Sequence, residues 1–465
     1  MTMPFDADII AAIATPPGKG GVGVIRISGP GSLDIGALFH SSKPGFAGFS
    51  PYRLHHGTIR DASGRILDEV LAVFMPGPAS YTGEDVLEIQ GHGGPAVLRR
   101  ILEACLAAGA RPALPGEFTK RAFLNGRMDL SQAEAVAELA GAGSAAQADM
   151  ALARLRGLVG DRTRELRAAL EDLRAKLCLA VDFPDEDVEC LSYQDFATAV
   201  GDVIARTDEL LRAFDRARPW REGALAVLFG RVNAGKSSLF NAFLGRERAI
   251  VTAAPGTTRD FLEEGLDLDG LPVRLADTAG LRQTVDEAER LGLDRGRELA
   301  AQADLGLYIV DGSAPYAPDD DPEDRRLAES LGPERVIAVV NKADLPQASP
   351  DPAGECERLG FTAVRISAKT GQGIDELARL MRERLTGGRE SPEPERPVPN
   401  LREALALRTA RRELAELLED IAAQTPFDLL GVRLETACAK FSEITGEIAP
   451  DDVLNRIFAS FCIGK

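Results

Sequence analysis

Three spacings of apolar positions succeed one another along the 465-residue chain. Over residues 1–127 the apolar runs are short and broken by Pro and Gly, as in "GVGVIRIS", "LAVFMPG" and "DVLEIQGHGG". They predict strands and turns, with one helix in "PAVLRRILEACLAAGA", and so an α+β unit. From about residue 128 the spacing turns helical. "DLSQAEAVAEL" opens with Ser131 and Glu134 at capping-box spacing, where each side chain satisfies a backbone N–H of the first turn. Leu166, Leu170, Leu173 and Leu177 then form one stripe along a long amphipathic helix. Residues 224–380 alternate β-runs ("ALAVLF", "LGLYIV", "RVIAVV") with helical stretches, the doubly wound α/β pattern. A Pro- and Glu-rich linker, "LTGGRESPEPERPVPN", follows, and Leu414, Leu417, Leu418 and Ile421 restore helical spacing. A helical stretch interrupted by an α/β segment predicts an α/β domain inserted into a helical one. The expected division is an α+β domain at 1–127, a first helical segment at 128–222, the insert at 223–384 and a second helical segment at 385–465.

Composition narrows the class. Hydrophobic content of 45% with 27% charged residues is that of ordinary folded protein. No apolar run approaches a membrane span. Asp6 and Asp8 stand where a secretory signal needs basic residues, so a cytoplasmic protein with no membrane association is expected. Cys105, Cys178, Cys190, Cys356, Cys438 and Cys462 contain no CxxC pair and make neither a disulfide framework nor a zinc pattern. The net charge of −18 argues against a general electrostatic nucleic-acid binder. Residues 1–127 escape that bias, with 12 Lys and Arg against 11 Asp and Glu. Any RNA contact must therefore use local patches or a partner's surface.

"GRVNAGKS" (230–237) fits G-x-x-x-x-G-K-S between an apolar strand and a helix, the context a phosphate-binding loop needs. Gly230 and Gly235 let backbone N–H groups curl around phosphate, Lys236 neutralises charge, and Ser237 can hold Mg²⁺. "NKAD" (341–344) selects guanine over adenine, because the Asp344 carboxylate can accept from guanine N1–H and its amino group. "SAK" (367–369) would supply a backbone donor to the guanine carbonyl. "DTAG" (277–280) ends a strand and would place Asp277 near Mg²⁺ and Gly280 at the γ-phosphate. The position after this DTAG, where Ras-like GTPases carry a water-orienting Gln, is Leu281. Glu287 or Glu289 is the alternative, against the plain reading of a solvated acidic helix start. With no arginine finger evident, a monovalent cation held by oxygens of Asn233, Thr252, Ala254 and Thr257 could supply the charge. Asn233 is equally well a turn residue.

In the N-terminal region, "GKGGVG" (18–23) matches G-x-G-x-x-G only in letters, and a glycine-rich turn is expected instead. Arg26, Glu88 and Arg127 are the better binding candidates, since a charge within an apolar strand needs a partner or ligand. An edge-strand surface position is the alternative. At the far end, Ile457, Phe458, Phe461 and Cys462 of "FASFCIGK" read as the last turn of a buried helix.

The chain resembles the MnmE (TrmE) family of tRNA-modification GTPases from end to end. The resemblance rests on "ATPPGKGGVGVIRISGP", "YTGEDVLEIQGHGGP", "PGEFTKRAFLNGRMDLSQAEAVAEL", "NAGKSSLFNAFLG", "PGTTRD", "DTAGLR" and the terminal "FCIGK". It implies a multidomain chain with an α+β folate-binding N-terminal domain, an all-α helical domain and an α/β P-loop G domain inserted in the latter. It implies a potassium-dependent GTPase that acts as a homodimer with the MnmG flavoprotein, in a heterotetramer, on C5 of the wobble uridine of certain tRNAs. GTP is the substrate, Mg²⁺ and K⁺ are cofactors, and 5-formyl- or 5,10-methylene-tetrahydrofolate is the one-carbon ligand.

The resemblance also assigns residues. GTP would be bound by Asn233, Ala234, Gly235, Lys236, Ser237 and Ser238, by Thr252, Ala253, Ala254, Pro255, Gly256, Thr257 and Thr258, and by Asp277, Thr278, Ala279 and Gly280. The guanine motifs add Asn341, Lys342, Ala343 and Asp344 with Ser367, Ala368 and Lys369. Ser237 and Thr258 would hold Mg²⁺; Asn233, Thr252, Ala254 and Thr257 would line the K⁺ site. Glu289 would activate water indirectly, Arg26, Glu88, Arg127 and Lys465 would hold the folate, and Cys462 becomes functional. Two other classes stay open: an RNA- or ribosome-assembly GTPase switch without modification chemistry, and a folate-dependent aminomethyltransferase with an accessory G domain. Against the first, residues 401–465 hold more acids than bases.

Overall fold

The computed structural model describes residues 8–182, 192–246, 263–277, 302–316 and 322–465. In chain order the first strands are β1 (Ile10–Ile13), β2 (Val22–Ser28), β3 (Phe39–Ser41), β4 (His55–Arg60), β5 (Ile66–Met75) and β6 (Val86–His92). Helix α1 (Pro95–Ala107), strand β7 (Arg111–Pro112) and helix α2 (Glu117–Leu124) follow. Next come α3 (Leu130–Gly141), α4 (Ala145–Leu155), α5 (Leu158–Asp182), α6 (Tyr193–Arg216) and α7 (Arg218–Glu222). The α/β segment runs β8 (Ala224–Gly230), α8 (Lys236–Arg246), β9 (Glu263–Leu268), β10 (Leu271–Asp277), β11 (Leu305–Asp311), α9 (Pro322–Leu331), β12 (Val336–Asn341), α10 (Pro352–Arg358), β13 (Thr362–Arg365) and α11 (Ile374–Thr386). The chain closes with α12 (Leu401–Ala422), α13 (Phe427–Thr445) and α14 (Asp451–Ala459).

Two compact units result: Met1–Ala137 with Arg154–Asp208 and Asn400–Lys465, and Glu138–Ala153 with Glu209–Pro399. The first contains a seven-stranded sheet in the order β3-β4-β5-β6-β2-β1-β7, antiparallel except for β1 beside β7. Alternation fixes its faces. Ile25, Ile27, Ala72, Leu87 and Ile89 point to one side, where Leu98, Ile101 and Cys105 of α1 cover them. Arg26 and Glu88, directly paired across β2 and β6, point to the other side. β2 lies inside the sheet, so the edge-strand reading of Arg26 does not hold. In the same unit the Leu166, Leu170, Leu173 and Leu177 stripe of α5 is buried, as are Leu414, Leu417 and Ile421 of α12.

The capping box falls elsewhere than the sequence suggested. Ser131 lies within α3, and the reciprocal pair at its start is Asp129 with Gln132, each side chain accepting from the other's backbone N–H at 2.9 Å. Both pairs have the same spacing, and Asp129 comes first in the chain. Glu134 is left for other partners.

The second unit carries a six-stranded sheet, β13-β12-β11-β8-β10-β9, parallel except for β9 against β10. Every residue of β8 and β12 is buried, which is why their sequences are continuous apolar runs without alternation. Ala226, Leu228 and Val339 face one cluster, Val227, Phe229 and Ala338 another. Among the described residues no helix is long and apolar enough to cross a membrane.

Candidate functional site

In the α/β unit, β8 ends at Gly230, whose backbone (φ 136°) a side chain would push onto the Ile309 carbonyl. Asn233 is in the left-handed region (φ 65°) and exposed, as a turn residue, while Ala234 is buried. A Cβ on Gly235 (φ 101°) would collide with the Asn341 amide. Both glycines of the motif are therefore demanded by the backbone. Lys236 starts α8 and donates from Nζ to the carbonyls of Gly230 (2.6 Å) and Arg231 (2.8 Å), so the ammonium lies across the mouth of its own loop. Ser237 and Ser238 stand in the first helical turn, both exposed. Ser237 Oγ donates to Asp277 Oδ2 at 3.4 Å, bringing together two hard oxygen donors from different elements, the type of set Mg²⁺ takes.

The guanine motifs are joined to this loop by one side chain. Asn341, at the end of β12 and 2% exposed, donates Nδ2 to the Ala234 carbonyl (2.9 Å) and accepts at Oδ1 from the Ala368 amide (3.0 Å). Lys342 (φ 66°) turns back to pair with Asp311 at 2.6 Å, and the Ala343 amide donates to the Ile366 carbonyl at 2.9 Å. Despite its partial burial, Asp311 is held below the usual carboxylate range by Lys342 and Ser313. Asp344 is exposed. Its Oδ1 accepts from Ser367 Oγ at 2.6 Å, and that bond is the leading cause of its lowered pKa. The carboxylate is thus ionised and aimed by Ser367, as a guanine acceptor must be. Lys369, two residues after Ser367, is exposed. Thr252, Ala253, Ala254, Pro255, Gly256, Thr257, Thr258, Thr278, Ala279, Gly280, Leu281, Glu287 and Glu289 lie outside the described residues.

The first unit holds a second cluster. Arg26 Nε donates to Glu88 Oε1 at 2.8 Å, and its guanidinium lies 5.3 Å from the Tyr81 ring centroid and 5.8 Å from that of Phe118. Such a cation between two aromatic faces, with a carboxylate alongside, suits a flat heterocycle carrying hydrogen-bonding edges. Tyr81 is held by Thr119 at 2.9 Å and kept neutral by burial, which raises its pKa. In the same region, Arg121 is 1% exposed and gathers Asp8 (2.6 Å), Glu84 (3.1 Å) and Glu117 (3.1 Å). Ser28 ties Thr82 and Glu84 to β2, so the loop that presents Tyr81 is fixed. Tyr81, Phe118 and Arg121 escaped the sequence reading because their partners are distant in the chain. Arg127 is exposed three residues beyond the end of α2, next to Gly83 of the Tyr81 loop.

The C-terminal residues reach this cluster. Phe458 and Phe461 are buried with Leu130, Ala133 and Leu454, but Cys462 is exposed beyond the end of α14. The buried-helix reading thus holds for Phe458 and in part for Ile457, whereas Phe461 is buried beyond the helix end and Cys462 is exposed. The Gly464 carbonyl accepts from Arg26 Nη1 at 3.4 Å, and Lys465 is half-buried. Gly464 (φ 96°) passes so close to β1 that a Cβ would strike the Ile13 carbonyl and come within 2.9 Å of Ala14 Cα. Gly464→Ala is expected to lift the tail from Arg26 at a strain of about 1–3 kcal/mol. On the expectation that this cluster holds a reduced folate, titration with one should show at least tenfold weaker binding with GTP affinity unchanged. Equal folate affinity would detach the tail from this cluster.

A GTP-binding protein TrmE N-terminus model matches residues 9–127, and an MnmE helical domain model matches residues 130–462. The chain is 52% identical to the tRNA modification GTPase MnmE of Nitratidesulfovibrio vulgaris, over 98% of this chain and 99% of that one. It belongs to the MnmE family. The relatives from Lawsonia intracellularis (46% identical, 98% of this chain, 100% of that one) and Roseiflexus castenholzii (45%, 98% and 99%) bear the same description. Among solved structures, the chain is similar to the G domain of the T. maritima FeoB iron transporter at 26% identity, over 36% of this chain and 98% of that one, with a TM-score of 0.26. As an MnmE-family member it is a multidomain GTP hydrolase: an α+β N-terminal region, a helical region, and an α/β P-loop region interrupting the helical one.

Proposed function

We propose that this MnmE-family GTPase works with the MnmG flavoprotein to modify C5 of the wobble uridine of certain tRNAs in the cytoplasm, taking its carbon from 5-formyl- or 5,10-methylene-tetrahydrofolate. The observation that supports this beyond GTP hydrolysis is the Arg26–Glu88 pair set against Tyr81, Phe118 and the Gly464 carbonyl. A GTPase acting only as an assembly switch has no use for such a site. Arg26, Glu88, Arg127 and Lys465 hold the folate in this reading, within a domain of residues 1–127, and Cys462 acts beside it. Residues 128–222 and 385–465 form the helical domain around a G domain at 223–384.

At the G site, Lys236 exchanges the Gly230 and Arg231 carbonyls for phosphate oxygens, and Asn233 to Ser238 wrap the nucleotide with Ala253, Pro255, Gly256, Thr278, Ala279 and Gly280. Ser237 and Thr258 hold Mg²⁺, with Asp277 nearby. Glu289 positions the attacking water indirectly. Oxygens of Asn233, Thr252, Ala254 and Thr257 hold K⁺, which supplies the positive charge that an arginine finger supplies elsewhere. Two copies of the chain pair through their G domains in this state. Replacing Na⁺ by K⁺ at constant ionic strength should then raise GTP turnover at least about tenfold, a fraction of what an arginine finger contributes. Equal rates in the two salts would remove the cation from the mechanism.

A further inference from the structure

On a chain of net charge −18, an RNA contact needs a local patch free of acids, and one stretch provides it. Between Asp34 and Asp61 there is no acidic residue, while Lys43, Arg53 and Arg60 and three of the four histidines (His40, His55 and His56) fall there. The stretch includes the edge strand β3, the loop that follows it, and β4. Lys43, Arg53 and His40 are exposed, and Lys43 and Arg53 make no ion pair among the described residues. The neighbouring acids are occupied. Glu69 pairs with His56 at 2.9 Å and Asp68 with His92 at 2.7 Å. On the adjoining loop, Glu84 accepts from Ser28 (2.8 Å) and Arg121 (3.1 Å), and Asp85 from the Gly77 amide (2.9 Å).

The loop holds its shape from within. Phe39, Phe46 and Phe49 pack among themselves, Phe46 and Phe49 also against His55, with ring centroids 5.1 to 5.7 Å apart, and the Ser50 amide donates to His55 Nε2 at 3.0 Å. The Arg53 amide closes a turn onto the Ser50 carbonyl at 3.2 Å, with Pro51 and Tyr52 at its middle positions. Tyr52 has φ 57°, in the left-handed region, at the third position of the turn, where Gly or Asn is the ordinary choice. A large aromatic side chain kept there against its backbone preference points to a use for the ring. That ring is 54% exposed, although its hydroxyl is anchored on the Ala79 carbonyl at 3.0 Å. An exposed ring fixed at its far end loses little freedom when a flat group stacks on it. Ala79 lies two residues before Tyr81, so the anchor ties this loop to the one that sets Tyr81 against Arg26.

We propose that Lys43, Tyr52 and Arg53 form a docking surface for single-stranded RNA of the tRNA substrate, the two cations on phosphates and the tyrosine ring under an unpaired base, beside the loop that carries Tyr81. The proposal rests on the reading that the chain acts on tRNA. Unpaired bases on aromatic rings, with phosphates on basic side chains, are how proteins take RNA loops. Binding of a transcribed anticodon stem-loop, with uridine at the wobble position, to the full chain over a series of salt concentrations tests it. Lys43→Ala with Arg53→Ala should reduce the slope of log affinity against log salt by about 1.4, at about 0.7 per cation. Tyr52→Gly should weaken binding at least about fivefold with that slope unchanged. Because glycine suits φ 57°, the variant should melt within a few degrees of wild type or above it. GTP turnover should be unchanged in both variants. A Tyr52→Gly chain that melts lower and binds RNA as wild type does would reduce the ring to a packing group and overturn the proposal. Absence of binding by wild type, or binding that neither variant weakens, would overturn the surface without touching the function proposed above. Loss of self-association in sedimentation with RNA affinity intact would assign the surface to a second copy of the chain and overturn the RNA reading. A wild type that binds through these residues, while cells lacking the chain keep fully modified tRNA, would support the surface and contradict that function.

Discussion

Asp344→Asn should lower GTP affinity by about 10- to 100-fold, the worth of a hydrogen bond to a charged group, and turn the preference toward xanthosine triphosphate. In the proposed site the carboxylate accepts from guanine N1–H and the exocyclic amine. An amide presents a donor where guanine also donates, but where xanthine carries an oxygen. The pocket should survive the change, because Ser367 Oγ, 2.6 Å from Asp344 Oδ1, can still donate to the amide oxygen. Asn341 also continues to bridge Ala234 and Ala368. Competition binding reads the result directly. An unchanged preference for GTP would take Asp344 out of base recognition.

On the function proposed above, Cys462→Ser should lower wobble-uridine modification at least tenfold while GTP turnover in K⁺ and melting temperature stay near wild type. Serine keeps the size and one donor but loses the polarizable, thiolate-forming sulfur. Folding should not notice, since burial at this end is carried by Phe458 and Phe461, and Cys462 is exposed. Intact modification with a lowered melting temperature would return the cysteine to a packing role.

Legibility followed sequence separation. The phosphate loop could be read because its glycines, lysine and serine sit within eight residues, between a continuous apolar strand and a helix. The buried strands β8 and β12 were legible for the same reason: a parallel strand covered on both faces leaves an unbroken apolar run. Arg26 and Glu88 stood out as charges within apolar strands, but nothing in their neighbourhood announced that Tyr81 and Phe118 flank the guanidinium. Ser131 and Glu134 misled through a true local rule. Asp129 and Gln132 satisfy the same rule two residues earlier, and Glu134 answers instead to Asn400 and Arg402, more than 260 residues on. The end of the chain was ambiguous for a different reason. A small sulfur side chain beside two phenylalanines reads as core, and only the end of α14 at Ala459 shows that burial passes to Phe461 and skips the cysteine.

Joint action of the two sites on tRNA is tested most directly by nucleoside analysis of tRNA from cells lacking this chain, with and without its return in wild-type or Arg26→Ala form. Wobble uridines should be unmodified at C5 in the deletion. Wild type should restore them, and Arg26→Ala should fail to do so while hydrolysing GTP at the normal rate in K⁺. Full modification in cells lacking the chain, or full restoration by Arg26→Ala, would contradict joint action.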